Sequence, residues 1–361
     1  MSRETLETQL PGLRSSAGSS RADHVAVVRV DGPGAFDLLE HASTRRLYLR
    51  EGQMRHTLLL HEDAGIFADV YIGSADDGLY VLAEGPTEAE LVAWLQELRE
   101  RRFPAARVEV GGQAEERVTL GVDGPYAWEV VSGLLGRVVL GMPYLTLLRR
   151  DDVLCLRAGK TGEYGYLLVV PRSQAAGLEA RLAEVGRPLG LVTVGREALD
   201  VCALENGHFS MRALRETALA RPLTPIELQQ QWRVAYDKVF VGSEALRARR
   251  AEGPRVRATS FTADAALVPG QTVQLGGEDV GEVLASTFSP SLGGWVGTAL
   301  LTRRLAHPHV ELAARSDTGV VHLTTRTPPL IDNLSLHVDP HKHSFATRAA
   351  AGSLSRPETT P

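Results

Sequence analysis

Lysine is almost missing from this chain. Only Lys160, Lys238 and Lys342 occur, so nearly all of the 39 basic residues are arginine, a bias that reads as genomic base composition rather than function. Nor is there an excess of positive charge: 44 acidic residues leave a net charge of −5 and a pI near 6.1. That balance gives no electrostatic footprint for nucleic acid or an anionic membrane. Two cysteines, Cys155 and Cys202, make neither a disulfide framework nor a C-x-x-C pair, and their apolar surroundings predict buried small hydrophobes. No apolar run approaches transmembrane length, and the first residues, Met1 to Glu7, carry no signal-like apolar region, so a cytoplasmic location is expected. Dinucleotide fingerprint, P-loop, nucleophile elbow and zinc-protease helix are all absent. His337, His341 and His343 with Asp339 form the one metal-like grouping, but one lies at a strand edge and the others follow a proline, so no metal site is expected.

What is present is a chain of 361 residues, 43% hydrophobic, long enough for two or three domains. A polar segment rich in Ser and Gly over 1–23 predicts a flexible leader. One design occurs twice. Val30-Asp31-Gly32-Pro33 and Val122-Asp123-Gly124-Pro125 each leave an alternating strand and enter an amphipathic helix, with the proline placed in the first helical turn. Two copies suggest duplicated α+β halves rather than a repeat array. Surface helices are predicted over 88–102 and 174–185, and an Arg-rich helix over 243–252 ends at the linker Gly253-Pro254. Short strands between Gly and Pro turns then predict a small β-barrel over 255–345, followed by a disordered tail over 346–361.

The segment Gly159-Lys160-Thr161-Gly162-Glu163-Tyr164-Gly165-Tyr166 lies between two apolar strands and reads as a Gly-rich hairpin. Glu163 at its tip is a carboxylate able to accept two parallel N–H bonds from a flat amidine-like heterocycle such as a pterin. An ordinary exposed turn has the same sequence. The order of the later landmarks adds to it: Gly195-Arg196-Glu197-Ala198-Leu199, then Ala203-Leu204-Glu205-Asn206-Gly207, Leu223-Thr224-Pro225, Val239-Phe240-Val241-Gly242, and Ser286-Thr287-Phe288-Ser289-Pro290. In that order they resemble the glycine-cleavage T-protein (aminomethyltransferase) family of tetrahydrofolate-dependent one-carbon transferases, closely over 117–345 and more distantly over 24–115. The resemblance implies an α+β fold of duplicated strand-helix halves around a central folate channel in 24–252, tetrahydrofolate as cofactor, and a small-molecule one-carbon donor or acceptor. A lipoyl-type carrier protein is a partner the family also suggests.

Site residues follow from that resemblance. His61 to Val70 matches a family segment that ends in two aspartates, of which the first is Ala68 here and only Asp69 remains. Family enzymes use a carboxylate at this point, able to position N–H groups, relay a proton and stabilise iminium charge. Adjacent strand residues face opposite ways, so Ala68 and Asp69 are not interchangeable. A solvent-exposed strand cap is the competing reading of Asp69. His56 stands where the family often has an aromatic residue, and it joins Asp69 and Tyr236 as a catalytic candidate. Glu163, Tyr166, Arg196, Glu205 and Arg233 are the candidate cofactor contacts. Trp232 is expected in the core, in a strand on which Arg233 and Tyr236 alternate with it. The later position of Leu204-Glu205-Asn206-Gly207 predicts an altered substrate end of the pocket. Three functions therefore stand: a one-carbon transferase, a folate-dependent O- or N-demethylase, and a folate-binding regulatory or assembly protein without turnover.

Overall fold

The computed structural model describes residues 3–216, 222–316 and 319–348. Its first part runs α1 (Arg3–Ser15), β1 (Gly18–Arg21), β2 (Ala26–Asp31), α2 (Ala35–Ala42), β3 (Met54–Leu60), β4 (Ile66–Ala75), β5 (Gly78–Glu84), α3 (Glu88–Arg102) and β6 (Glu109–Gly112). Next come β7 (Arg117–Asp123), α4 (Ala127–Leu135), β8 (Leu147–Arg150), β9 (Val153–Leu156), β10 (Gly165–Pro171), α5 (Arg172–Gly186), β11 (Val192–Thr193), α6 (Arg196–Glu205), α7 (Met211–Glu216) and α8 (Ser243–Glu252). The last six strands are β12 (Val256–Ala263), β13 (Thr272–Leu275), β14 (Glu278–Ser289), β15 (Gly294–Thr302), β16 (Glu311–Ser316) and β17 (Gly319–Arg326).

The chain divides into two compact units that are discontinuous in sequence: residues 1–22, 117–206 and 331–361 in one, and 23–116 with 207–330 in the other. The first contains a six-stranded sheet in the order β11-β1-β7-β10-β9-β8. The second contains a five-stranded sheet in the order β3-β4-β5-β2-β6, together with a closed barrel, β12-β15-β14-β13-β16-β17. The α+β class and the C-terminal barrel agree with the sequence reading.

The internal repeat is two strand-to-helix corners, β2 into α2 and β7 into α4. Gly32 (φ 102°) and Gly124 (φ 139°) both need the left-handed region, and a Cβ at either would meet backbone, Arg107 O at 2.4 Å and Ser16 O at 2.5 Å. Glycine is thus required twice over. The prolines sit outside the helices, which begin at Ala35 and Ala127, so they shape the turn and not the first helical turn.

Two boundaries differ from the sequence reading. Residues 3–15 form a helix whose Leu6, Leu10 and Leu13 pack on Val194, Ala198 and Val201, and Gly18–Arg21 is a strand between β11 and β7. A polar composition masked a narrow apolar stripe at helical spacing. The barrel ends with β17, and the chain from 331 onward returns to the first unit, where Val338 joins its core. Of the expected tail, 349–361 lies outside the described residues. Because Leu10 is fully buried under α6, Leu10→Ala should cost about 2–5 kcal/mol of stability by urea unfolding; a mobile leader would show no change.

Candidate functional site

The sequence candidates fall into two groups, one in each unit. In the second unit, β3 and β4 are antiparallel neighbours with His56 opposite Tyr71 and Leu58 opposite Asp69. Alternation sends Leu59, Ala68, Val70 and Ile72 into the core covered by α2 and α3. His56, Asp69 and Tyr71 share the other face. There the His56 ring stacks on Tyr71 at 4.3 Å and its Nε2 lies 2.7 Å from Asp69 Oδ1. The same Asp69 oxygen accepts a short hydrogen bond from Arg233 Nη2, which also donates to Thr57 O at 2.8 Å. Asp69 is 4% exposed and Arg233 1%. Asp69 is therefore a buried, charge-paired carboxylate and not a strand cap in solvent.

Arg233 reaches this place because its backbone is pinned. Residues Gln231–Arg233 form a 3-10 turn, not a strand. Thr44 Oγ1 donates to Arg233 O at 2.8 Å, and Lys238 Nζ holds the adjoining segment through Ser43 O (2.8 Å) and Arg45 O (2.7 Å). Burial lowers the Lys238 pKa to about 8, against the charge of Glu40, which supports the ammonium. The turn reverses the expected order of exposure: Arg233 is buried, while Trp232, expected in the core, is 64% exposed beneath the Arg45 and Arg233 guanidiniums. Tyr236 packs instead with Leu58, Leu60, Ile226, Phe240 and Leu246, and Arg250 lies 4.0 Å over its ring. The structure brings His56, Asp69 and Arg233 together and leaves Tyr236 in a separate apolar cluster.

In the first unit, Arg14 is the centre, a residue that no sequence signal marks beyond its place in a polar segment. Its guanidinium donates to Thr161 O (2.7 Å), Asn333 Oδ1 (2.9 Å) and Glu163 Oε1 (3.2 Å), and makes a short contact with Glu205. The other oxygen of Glu163 accepts from the backbone N–H of Ser335 at 2.8 Å and from its hydroxyl. The glycines of the hairpin fit the protein itself: a Cβ on Gly162 would strike Asn206 Oδ1 at 2.3 Å. Tyr166 is buried in the core beneath Arg157, whose guanidinium is 5.0 Å from the ring. Arg196 opens α6 as the sequence indicates, and its buried Nε has no hydrogen-bond partner among the described residues.

A pterin needs a carboxylate with free acceptor sites. Both oxygens of Glu163 are engaged and its side chain is 1% exposed, so Glu163 does not fit that role as placed. The second unit does offer a fit. Asp69 is a buried carboxylate, and the buried Nε of Arg233 is a donor without a partner among the described residues. That donor, held beside Asp69, is what this face offers to a polar group.

The chain matches the GCVT N-terminal domain over residues 3–238 and the glycine cleavage T-protein C-terminal barrel domain over 257–332. It belongs to the glycine-cleavage T-protein family. Among similar curated proteins are the aminomethyltransferases of Streptomyces coelicolor (31% identical over 314 residues, 83% of this chain and 82% of the relative) and Parafrankia sp. (30% over 336, 88% and 87%). A third, from Corynebacterium aurimucosum, is 28% identical over 302 residues, 80% of each chain. The crystal structure of glycine cleavage system aminomethyltransferase T from Bartonella henselae shares the fold, with a TM-score of 0.77 at 23% identity over 91% of this chain and 90% of that one.

Asp123, from the second copy of the repeat, accepts from Thr161 Oγ1 at 3.0 Å under the hairpin. Burial pushes its pKa up to about 7, against the Thr161 hydrogen bond and the charges of Arg157 and Arg14. The folded state then holds a proton that the unfolded chain loses near pH 4, so this carboxyl favours folding at low pH and that contribution is lost as pH rises from about 4 to about 7. Asp123→Asn should remove a slope on the order of 2–4 kcal/mol across that window. Urea unfolding of wild type and variant at pH 4.5, 6 and 8 checks this; parallel stability curves would contradict it.

Proposed function

We propose that this protein is a tetrahydrofolate-dependent transferase that moves a one-carbon unit between a small molecule and the folate, with Asp69 at the reacting centre. The observation that carries the reading is the buried carboxylate of Asp69, fixed between His56 and Arg233 on the strand where the family keeps its acidic residue. Family membership and the aminomethyltransferase relatives support the class of reaction. Asp69 and Arg233 are the residues proposed to hold the reacting end of the cofactor. Bound tetrahydrofolate would supply the nitrogen atoms that take up or release the one-carbon unit.

Asp69 would then orient N–H groups and pass a proton, as a carboxylate in a dry site does effectively. His56, hydrogen-bonded to Asp69 and braced by Tyr71, holds that carboxylate in one rotamer. A lipoyl-bearing carrier protein is the partner that the family suggests for delivery of an aminomethyl group. No helix among the described residues is long and apolar enough to cross a membrane. The folate-dependent demethylase remains a second reading, favoured by one observation: Ala68 lies fully buried in the hydrophobic core, so the chain lacks the second aspartate on either face.

Calorimetry with reduced folate should give one-to-one binding to the intact protein, and its absence would refute the cofactor assignment. Asp69→Asn, which keeps one acceptor oxygen for the cofactor but loses the charge, should leave that affinity nearly unchanged while lowering turnover roughly a hundredfold or more. Equal loss of affinity and rate would make Asp69 a binding residue only. Normal turnover per folded molecule, checked by melting temperature, would turn the site over to another group.

A further inference from the structure

Asp69 is the carboxylate that a one-carbon transferase of this kind would offer to a cationic amine, yet its charge is already used. Arg233 sits on it in direct contact, with side-chain exposures of 1% for Arg233 and 2% for Asp69. A second guanidinium lies near. Arg45 donates to His56 O at 3.4 Å, and its pKa is lowered first by burial and then by repulsion from Arg55 and Arg233. Glu84, cross-strand from Asp69 on β5 and half-buried, is a second carboxylate at this position of the sheet. On this face Asp69 and Glu84 are thus accompanied by the guanidiniums of Arg233 and Arg45.

A protonated amine brought to Asp69 would meet a neutralised acceptor and a desolvated like charge, which is unfavourable on both counts. It would also leave the buried Arg233 Nε unsatisfied, because an ammonium donates hydrogen bonds and accepts none. An ether oxygen or similar neutral acceptor satisfies that donor at no charge cost.

We infer that Arg233 sets the substrate class of this site: the atom bearing the one-carbon unit is an uncharged hydrogen-bond acceptor, as in a methyl ether, and not a protonated amine. The inference rests on the transferase reading above and narrows it toward the O-demethylase branch. Arg233 acts here through its charge on Asp69 and through the free Nε donor.

The test compares two near-isosteric probes, methoxyacetate and N-methylglycine, which differ in a neutral ether oxygen against a protonated secondary amine. Binding is measured by calorimetry on the intact protein, with and without reduced folate. Methoxyacetate should bind at least about tenfold more tightly to the wild type. In Arg233→Met the ratio should move toward N-methylglycine by about tenfold or more, because Asp69 regains an uncompensated charge. Arg233→Lys, which retains the charge, should keep the ether preference, and the wild-type comparison stands even where the Met variant does not fold. A tie, a preference for N-methylglycine, or no binding of either probe overturns the inference, as does an unchanged ratio in folded Arg233→Met. Reduced folate is titrated alone first. Failure at that step condemns the transferase reading, whereas folate binding with an amine preference condemns only this one.

Discussion

A carboxylate taken out of water must be paired, and the arrangement around Asp69 follows from that constraint. Its charge is paired where it lies by Arg233, which comes to it from a distant part of the sequence. Removing one partner of such a pair typically costs about 3–5 kcal/mol, since the other is left charged and dry. The need to hold Arg233 explains the surrounding polar contacts. Thr44 and Thr57 share a hydrogen bond of 3.1 Å at the base of the strand, Thr44 fixes the backbone of Arg233, and Lys238 fixes the segment that carries Thr44. These buried polar groups act as a chain of supports whose end product is the position of one carboxylate.

The first unit solves a similar problem with the signs reversed. Glu163, Glu205 and Asp123 are buried together, and Arg14 from α1 supplies a guanidinium to two of them. The third keeps its proton over much of the acid range, which relieves the excess of negative charge. Ser335 and Asn333, from the segment that returns after the barrel, complete the hydrogen bonding of Glu163 and Arg14. This node ties the two ends of the described chain to the hairpin within one unit. The hairpin glycines then have a structural cause: they admit Asn206 and the neighbouring backbone at distances that a side chain would forbid.

Much of this was legible in the sequence because it rests on local rules. The barrel strands, α3 and α8 follow from turn residues, caps and periodicity, and Thr87 with Glu90 makes the capping box that starts α3. The alternation that separates Ala68 from Asp69 was equally readable, since it depends only on the period of a strand. What failed depended on long-range pairing. Arg14 and Glu205 are 191 positions apart, and Arg233 and Asp69 are 164 apart, so no local pattern announces either contact. Trp232 and Arg233 show the limit most clearly. Hydrophobicity favours burying the tryptophan, but a 3-10 turn and a waiting carboxylate bury the arginine instead.

The position of Ala68 gives a structural meaning to the alanine that precedes Asp69. Its side chain lies among Leu59, Val70, Val81 and Leu95 in the helix-covered core, where an ionised carboxylate would have no partner and a high desolvation cost. The pair therefore cannot be read as one carboxylate backing up another on a common face. With position 68 committed to packing, this pair of positions gives the polar face one carboxylate, Asp69, and the groups that touch it decide its electrostatic character. A lone, hydrated aspartate would be an anion seeking a cation. Paired with Arg233 and hydrogen-bonded to His56, Asp69 becomes part of a nearly neutral polar group, with a spare guanidinium donor beside it. The electrostatic character of this face is thus set without a new carboxylate, by a cation placed on the one at position 69.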